Sequence, residues 1–284
     1  MDKRIIVFCE GDHDIAFLSR ILFVDGFTSY EKKVKDFIVP LSDLYIESLK
    51  NKKIEDSEFK FQRASINIPY TVLEKENTLV IFHNLGGDGN ILNGKANGIV
   101  ETYLGLNDAI LREVGEYDSL TFRFLYFLDA DDAGIVNRLS EMTKIVNLTE
   151  DLKHYKVVKR EKYEVGCCIF YNISDTNTYG KLENILLDLM NSDNEKVFSG
   201  SSSFLENNIL DESRQRKFIC TDKKEEVKGS IEFKKEKSII SIAGQLQFSG
   251  ANNSVIIANT DYIKKSDILN NLVCKNIITM FQPK

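Results

Sequence analysis

Three carboxylates stand within four residues at Asp129, Asp131 and Asp132, directly after the apolar run Leu125-Tyr126-Phe127-Leu128 and shortly before Gly134. At an effective dielectric of about 20, two carboxylates about 5 Å apart repel by roughly 3 kcal/mol, so such a cluster calls for a compensating cation. Mg²⁺ suits Asp129 and Asp131, because it takes hard oxygen ligands and keeps several waters. A comparable acid, Glu10, follows Arg4-Ile5-Ile6-Val7-Phe8-Cys9 and precedes Gly11, Asp12 and Asp14. Gly11 permits a sharp turn and a close approach by backbone or phosphate. The chemistry on offer is metal-assisted work on a phosphate. Taken alone, 129–132 reads more readily as a solvated acidic loop that caps the next helix.

Strands must position these acids. Thr121 to Leu128 is a near-continuous apolar run with no turn former, the pattern of a strand covered on both faces in a parallel sheet. Asp129 and Asp131 then fall at its carboxyl end, where open α/β sheets place their ligand crevice. In extended chain, residues two apart project to the same side. Arg4 to Cys9 repeats the design with Glu10 at its end, and the two sets of acids meet only if their strands are neighbours in one sheet. Each strand leads into a helix. The first is capped by Asp12 and carries Ile15, Leu18 and Leu22 along one face; the second runs from Ala133 to Leu148 with Asp132 as its cap.

Two further segments belong to this set. Leu79 to His83 reads as a strand, and Gly86, Gly87 and Gly89 follow it without a GxxxxGK[ST] or GxGxxG pattern. Backbone amides in such a loop can cradle a phosphate, or the glycines simply make a tight connection. Tyr179 to Asn191 reads as a helix with Leu182, Ile185, Leu186 and Leu189 on its buried stripe. Glu183 lies in its first turn, where the helix dipole favours an acid and where it could also reach the acidic cluster.

Taken in order, Glu10-Gly11 with Asp14, the Leu79–Gly87 strand and glycine pair, Asp129-x-Asp131, and Gly180-Lys181-Leu182-Glu183 resemble the Toprim catalytic domain. The likeness is to the small nucleases of the overcoming-lysogenization-defect (OLD) type and spans roughly residues 4 to 190. It implies a Rossmann-like, mainly parallel sheet flanked by helices, with a core over 1–194, an insertion at about 30–76 and a mostly helical extension over 195–284. It also implies a nuclease in which Glu10, Asp129 and Asp131 are catalytic. Mg²⁺ or Mn²⁺ would be held by these three with Glu183 and Asp14. Gly11, Gly86, Gly87 and Lys156 become candidates for phosphate or substrate contact. The resemblance further suggests DNA or RNA as substrate, a separately encoded ATPase as partner, a role in anti-phage defence and compatibility with a homo-oligomer. The spacing from Glu10 to Asp129 is longer than in compact Toprim modules.

The remainder of the chain constrains these expectations. With 284 residues, 43% hydrophobic and 28% charged, it has the make-up of a globular protein able to bury a sizeable core. No apolar run approaches the roughly 18 residues that span a bilayer, and the first residues lack a signal-peptide pattern, so no membrane association and a cytoplasmic location are expected. Cys9, Cys167, Cys168, Cys220 and Cys274 show no CxxC spacing and read as buried thiols. The net charge of −6 shifts attention to local basic stretches, at 153–162 with Lys156, Lys159, Arg160 and Lys162, and at Arg214 to Lys237, where interleaved glutamates also suit a solvated surface. Within 30–76, strands are expected at Lys32 to Pro40 and Phe59 to Ile68, with a short helix at Ser42 to Lys50. A long helix broken near Gly94 and Gly98 is expected over Ile91 to Gly115, two strands over Asp151 to Asn172, and helices over Lys237 to Phe248 and Ile263 to Phe281. His13 and His83 stand near the acids and could assist proton transfer or be ordinary surface and core residues. Two other functions stay open. One is a DxD phosphatase, although Ala133 stands where that family has Thr or Val; the other is a non-catalytic Toprim-like module that binds nucleic acid or protein.

Overall fold

The computed structural model describes residues 3–38, 40–50, 68–87, 89–113, 121–210, 216–221, 224–230 and 233–282. The chain is an α/β protein that divides into two units, Met1–Leu182 with Lys265–Lys284, and Glu183–Lys264. The division thus falls at 182 and 264, where a single boundary near 194 was expected, and the last helices belong with the first unit.

The first unit is built on a seven-stranded sheet. Its strands are β1 (Lys3–Cys9), β2 (Thr28–Ser29), β3 (Thr71–Lys75), β4 (Thr78–Asn84), β5 (Thr121–Asp129), β6 (Val157–Lys159) and β7 (Tyr163–Phe170), in the order β2-β3-β4-β1-β5-β7-β6. The four apolar runs form its centre, with β4, β1, β5 and β7 mutually parallel. The shorter β2, β3 and β6 flank them, with β3 antiparallel to β4, β2 antiparallel to β3 and β6 antiparallel to β7. Alternation along the strands supplies two buried faces. Ile6, Phe8, Ile81, Phe124, Tyr126 and Leu128 share one core with helices α2 (Leu41–Lys50), α3 (Lys95–Glu113) and α4 (Gly134–Ile145), through Tyr45, Ile99, Tyr103 and Met142. On the opposite parity, Phe170 and Phe127 make ring contacts with Phe17 of α1 (Asp12–Val24) and Phe281 of α10 (Leu272–Phe281). Between α4 and α10 in sequence lie α5 (Leu182–Asn191), α6 (Glu195–Asn207), α7 (Lys235–Gly244), α8 (Asn253–Asn259) and α9 (Lys265–Asn270).

Several segments differ from expectation. Lys32 to Pro40 is not a strand: Val34–Asp36 makes a single 3₁₀ turn, and Tyr30, Phe37 and Tyr45 pack ring against ring there. The strand expected over Phe59 to Ile68 falls, but for Ile68, outside the described residues. The 30–76 segment is more than a surface insertion, because it gives α2 to the core and β3 to the sheet. Helix α3 begins only after Gly94, whose φ of 73° is left-handed, and then passes through Gly98 without a break. The expected C-terminal helix divides at Asn271, whose side chain accepts the Cys274 amide and starts α10 afresh. Cys9, Cys167, Cys168 and Cys274 are free and buried, in keeping with their apolar contexts. No described helix is long and apolar enough to cross a membrane.

In the second unit, α6 packs on α7 and α7 on α8. Gly244 lets α7 approach Ile256 of α8 so closely that a methyl group there would collide with it. Tyr262 closes this core, its ring edge-on to Phe198 and its hydroxyl donating to the Ala243 carbonyl at 3.0 Å. The charged stretch Arg214 to Lys237 holds an antiparallel hairpin of β8 (Arg216–Thr221) and β9 (Lys224–Ser230), which the expectation of a mostly helical extension missed.

Candidate functional site

Strand order fixes where a crevice opens. After β1 the chain adds β4 on one side, then crosses to add β5 on the other, so the order reverses at the β1/β5 boundary. Ligands of doubly wound sheets bind at the carboxyl ends of the strands flanking such a reversal. Parallel pairing aligns Cys9 with Phe127, so Glu10 follows the end of β1 beside the end of β5, which is Asp129 itself. The two acid-bearing strands are neighbours, as bringing their acids together requires.

The turn after β5 is tightly organised. Asp129 accepts the amide of Leu182, the first residue of α5, at 2.8 Å through Oδ1. Ala130 donates to the Phe170 carbonyl at 2.8 Å, and Asp131 exchanges two backbone hydrogen bonds with Gly180, at 2.7 and 3.0 Å. Asp131 has φ of 45°, a left-handed conformation that aspartate tolerates better than most residues. The acidic motif is therefore a strand end followed by a turn, and the expected extended spacing of its two acids does not hold. The Asp131 carboxylate, 40% exposed, meets Arg138 Nη2 at 3.0 Å. Arg138 donates its Nη1 to Glu141 at 3.0 Å. Asp132 is exposed and does not cap α4; Ala133 occupies the cap position, and Thr178 Oγ1 accepts the Ile135 amide instead.

At β1 the roles of two acids are exchanged relative to expectation. Gly11 is the cap residue of α1, and Asp14, three residues on, accepts the Gly11 amide at 2.9 Å. This is the reciprocal half of a capping box, in which an acid at the third helical position reaches back to the cap. Asp12 instead accepts from the Asn84 side chain at the end of β4. The buried Asp14 carboxylate is thus committed to the turn that carries Glu10.

The glycine loop braces the same turn. Gly86 donates its amide to Asn84 Oδ1 and Gly87 donates to the Glu10 carbonyl, both at 2.8 Å, while Leu85 donates to the Cys9 carbonyl. The Gly86 and Gly87 amides thus already have acceptors within the chain. Their φ values of 79° and 109° explain why glycine stands there. Lys156 is exposed beside the edge strand β6, level with Gly166 and Cys167 and away from the carboxyl edge. Glu183 is 2% exposed and lies in the second unit, where Lys237 Nζ approaches its Oε1 at 3.3 Å.

The histidines separate by environment. His83 is a core residue: its Nε2 pairs with the Tyr103 hydroxyl at 2.9 Å, and that hydroxyl with Tyr45 at 2.9 Å. Burial pushes the His154 imidazole down to about 4, so it is neutral near pH 7. His13 is half-buried two positions before Ile15, which begins the apolar face of α1.

Mg²⁺ is commonly held by one or two carboxylates together with waters and substrate phosphate. Among the described residues, no three His, Cys, Asp or Glu side chains gather into a metal-binding group. An ion at this edge would have to be held by fewer than three such side chains, with waters or substrate oxygens completing its shell. Asp131 already faces a positive charge, the kind of partner an ion would replace.

No family model matches the chain, and no curated protein does. A solved structure, that of hypothetical protein PH0156 from Pyrococcus horikoshii OT3, is similar with a TM-score of 0.53 and 14% identity, covering 99% of this chain and 95% of that one. That likeness shows the fold alone.

Arg138 and Lys237, the cationic partners of two motif acids, were not singled out from the sequence. Arg138 had a visible signal in its i, i+3 spacing to Glu141 one turn into a helix that follows an acidic run. Lys237 had none, since it lies 54 positions along the chain from Glu183.

Proposed function

We propose that this chain is a divalent-metal-dependent nuclease with a Toprim-like acidic crevice, hydrolysing phosphodiester bonds of DNA or RNA. The observation that carries the reading is the position of Glu10 and Asp129, at the ends of adjacent parallel strands where the strand order reverses. Asp129 and Asp131 would hold Mg²⁺ or Mn²⁺, with Glu10 beside them. Such an ion, when bound, stabilises charge on phosphoryl oxygens and makes a bound water more acidic. The chain's own groups do the rest. Glu10 takes the proton of the attacking water on its carboxylate, and general-base help of this kind contributes about a hundredfold or more. The Asp14–Gly11 cap and the Gly87–Glu10 strap hold that turn still, while the Leu182 amide fixes the orientation of Asp129. Asp131 is released to its ligand role when Arg138 leaves it. A separately encoded ATPase as partner, and anti-phage defence as context, extend the same reading.

The test is cleavage of plasmid, linear DNA and total RNA with Mg²⁺ or Mn²⁺, comparing the wild type with Glu10→Gln and Asp129→Asn. The expected result is metal-dependent cutting that falls about a hundredfold or more in both variants. Equal cutting by wild type and variants would overturn the proposal. One observation favours a second reading, a non-catalytic nucleic-acid or protein binder: the Asp131–Arg138 pair neutralises a motif acid without any metal. Nucleic-acid binding indifferent to chelation, with no cutting, would select it.

A further inference from the structure

Arg138 is held in an unusual way for a helix arginine. Its side chain is only 16% exposed, Nη1 is anchored to Glu141, and Nη2 meets Asp131 Oδ2. Its Nε is buried and donates to no described residue. The Nε–Nη2 edge of a guanidinium is a fork that matches two oxygens of a phosphate. Here Nη2 rests on Asp131 and Nη1 on Glu141, which keeps the group from turning away, while Nε lies buried. Asp131 belongs to the carboxyl edge of the sheet, two residues beyond Asp129 at the strand-order reversal.

Resting on the nuclease reading above, we propose that Arg138 is the residue that grips a substrate phosphate, and that Asp131 occupies it until a divalent cation takes Asp131. One cation then replaces another on the carboxylate, and the freed Nη2 engages the phosphate. Metal and nucleic acid bind cooperatively as a result, because each removes a partner that competes with the other. The Asp131–Arg138 pair is partly exposed and weak, so little opposes the exchange.

Binding measurements on the whole chain test this without relying on turnover. Mn²⁺ affinity is read by calorimetry in the absence of nucleic acid. Affinity for a fluorescein-labelled oligonucleotide, as single-stranded DNA, duplex DNA and RNA, is read by anisotropy with Ca²⁺ or with EDTA over a range of salt. In the wild type, oligonucleotide affinity rises with Ca²⁺. Arg138→Gln is expected to tighten Mn²⁺ several-fold, because the competing cation is gone, and to weaken the oligonucleotide about tenfold, with the slope of log affinity against log salt shallower by about one. Arg138→Lys keeps the charge but not the fork, and restores only part of that affinity. Opposite movement of the two affinities is what a merely structural role would not produce.

Unchanged oligonucleotide affinity in Arg138→Gln, in a chain whose wild type still cuts, would overturn this inference and leave the nuclease reading standing. Mn²⁺ and oligonucleotide binding that weaken together would overturn it as well. A wild type that binds neither Mn²⁺ nor nucleic acid would overturn both.

Discussion

Arg123 offers the most demanding test of how this fold is held together. It lies near the start of β5, wholly buried, and donates Nε to Glu164 Oε2 at 2.6 Å. Its Nη1 donates to the carbonyls of Met280 and Gln282, at 2.5 and 2.9 Å. The last carbonyls of a helix have no partners within it, so a buried guanidinium here closes α10 from below the sheet. Arg123→Met keeps much of the volume and removes all three bonds. Breaking a buried ion pair by losing one partner costs about 3–5 kcal/mol. Glu164 keeps Lys3 at 3.1 Å, which places the expectation at the lower end, about 3 kcal/mol. That is a large share of the roughly 5–15 kcal/mol by which domains are stable. Urea unfolding of the wild type, Arg123→Met, Glu164→Gln and the double variant measures both the loss and the coupling, and hydrogen exchange over 272–281 locates it. Coupling below about 0.5 kcal/mol, or unchanged protection of α10, would refute the reasoning. Acid supplies an independent check. Burial pushes the Glu164 carboxyl up, but Arg123 and Lys3 outweigh burial and hold it below the usual carboxylate range. Its folded value is depressed, so its contribution is complete above the unfolded value of about 4.3 and disappears as pH falls through the lower folded one. Glu164→Gln should remove that part of the acid limb.

Two further outcomes follow from single contacts. Asp129→Ala loses the acceptor for the Leu182 amide and should cost about 1 kcal/mol, whereas Asp129→Asn retains an acceptor there and should unfold near the wild-type temperature; thermal melts of the two separate the structural role of the residue from the chemical one. His154 has a depressed folded value of about 4 against about 6.5 unfolded, so its burial favours the fold above about pH 6.5 and that advantage shrinks as pH falls toward 4; His154→Phe should flatten the stability profile across that window, measured as urea midpoint against pH.

The parts of this architecture that were legible beforehand depend on local pattern. The apolar runs at 4–9, 79–83 and 121–128 became β1, β4 and β5, three of the four central parallel strands, because continuous burial on both faces leaves that signature. The adjacency of β1 and β5 followed from what two acid-tipped strands would need in order to cooperate. Other features depended on geometry that periodicity does not carry. Whether Asp12 or Asp14 serves the α1 cap turns on a single residue of helix boundary, and boundaries are the least determined part of any helix. The partner of Asp131 is set by a left-handed backbone at that residue, which redirects its side chain to Arg138. Strand β3 joined the sheet by pairing with β4 across the two-residue turn at Glu76 and Asn77, inside a segment read as an insertion. Arg123 sat unnoticed within an apolar run, since the carbonyls that satisfy it come from residues about 157 positions away.

That last separation bears on how the molecule is made. The sheet begins at residue 3, yet the helix covering Phe127 ends at Phe281. During synthesis the strands emerge first, while their second cover waits for residues 272–281. Contacts so distant in sequence slow folding and leave apolar surface transiently open to aggregation. A chain cut after residue 194 would keep every strand of the sheet and still strip Phe127 of Phe281 and Arg123 of both its carbonyls. Asp129 and the residues that brace its strand, Met280, Phe281 and Gln282, are about 150 positions apart in sequence.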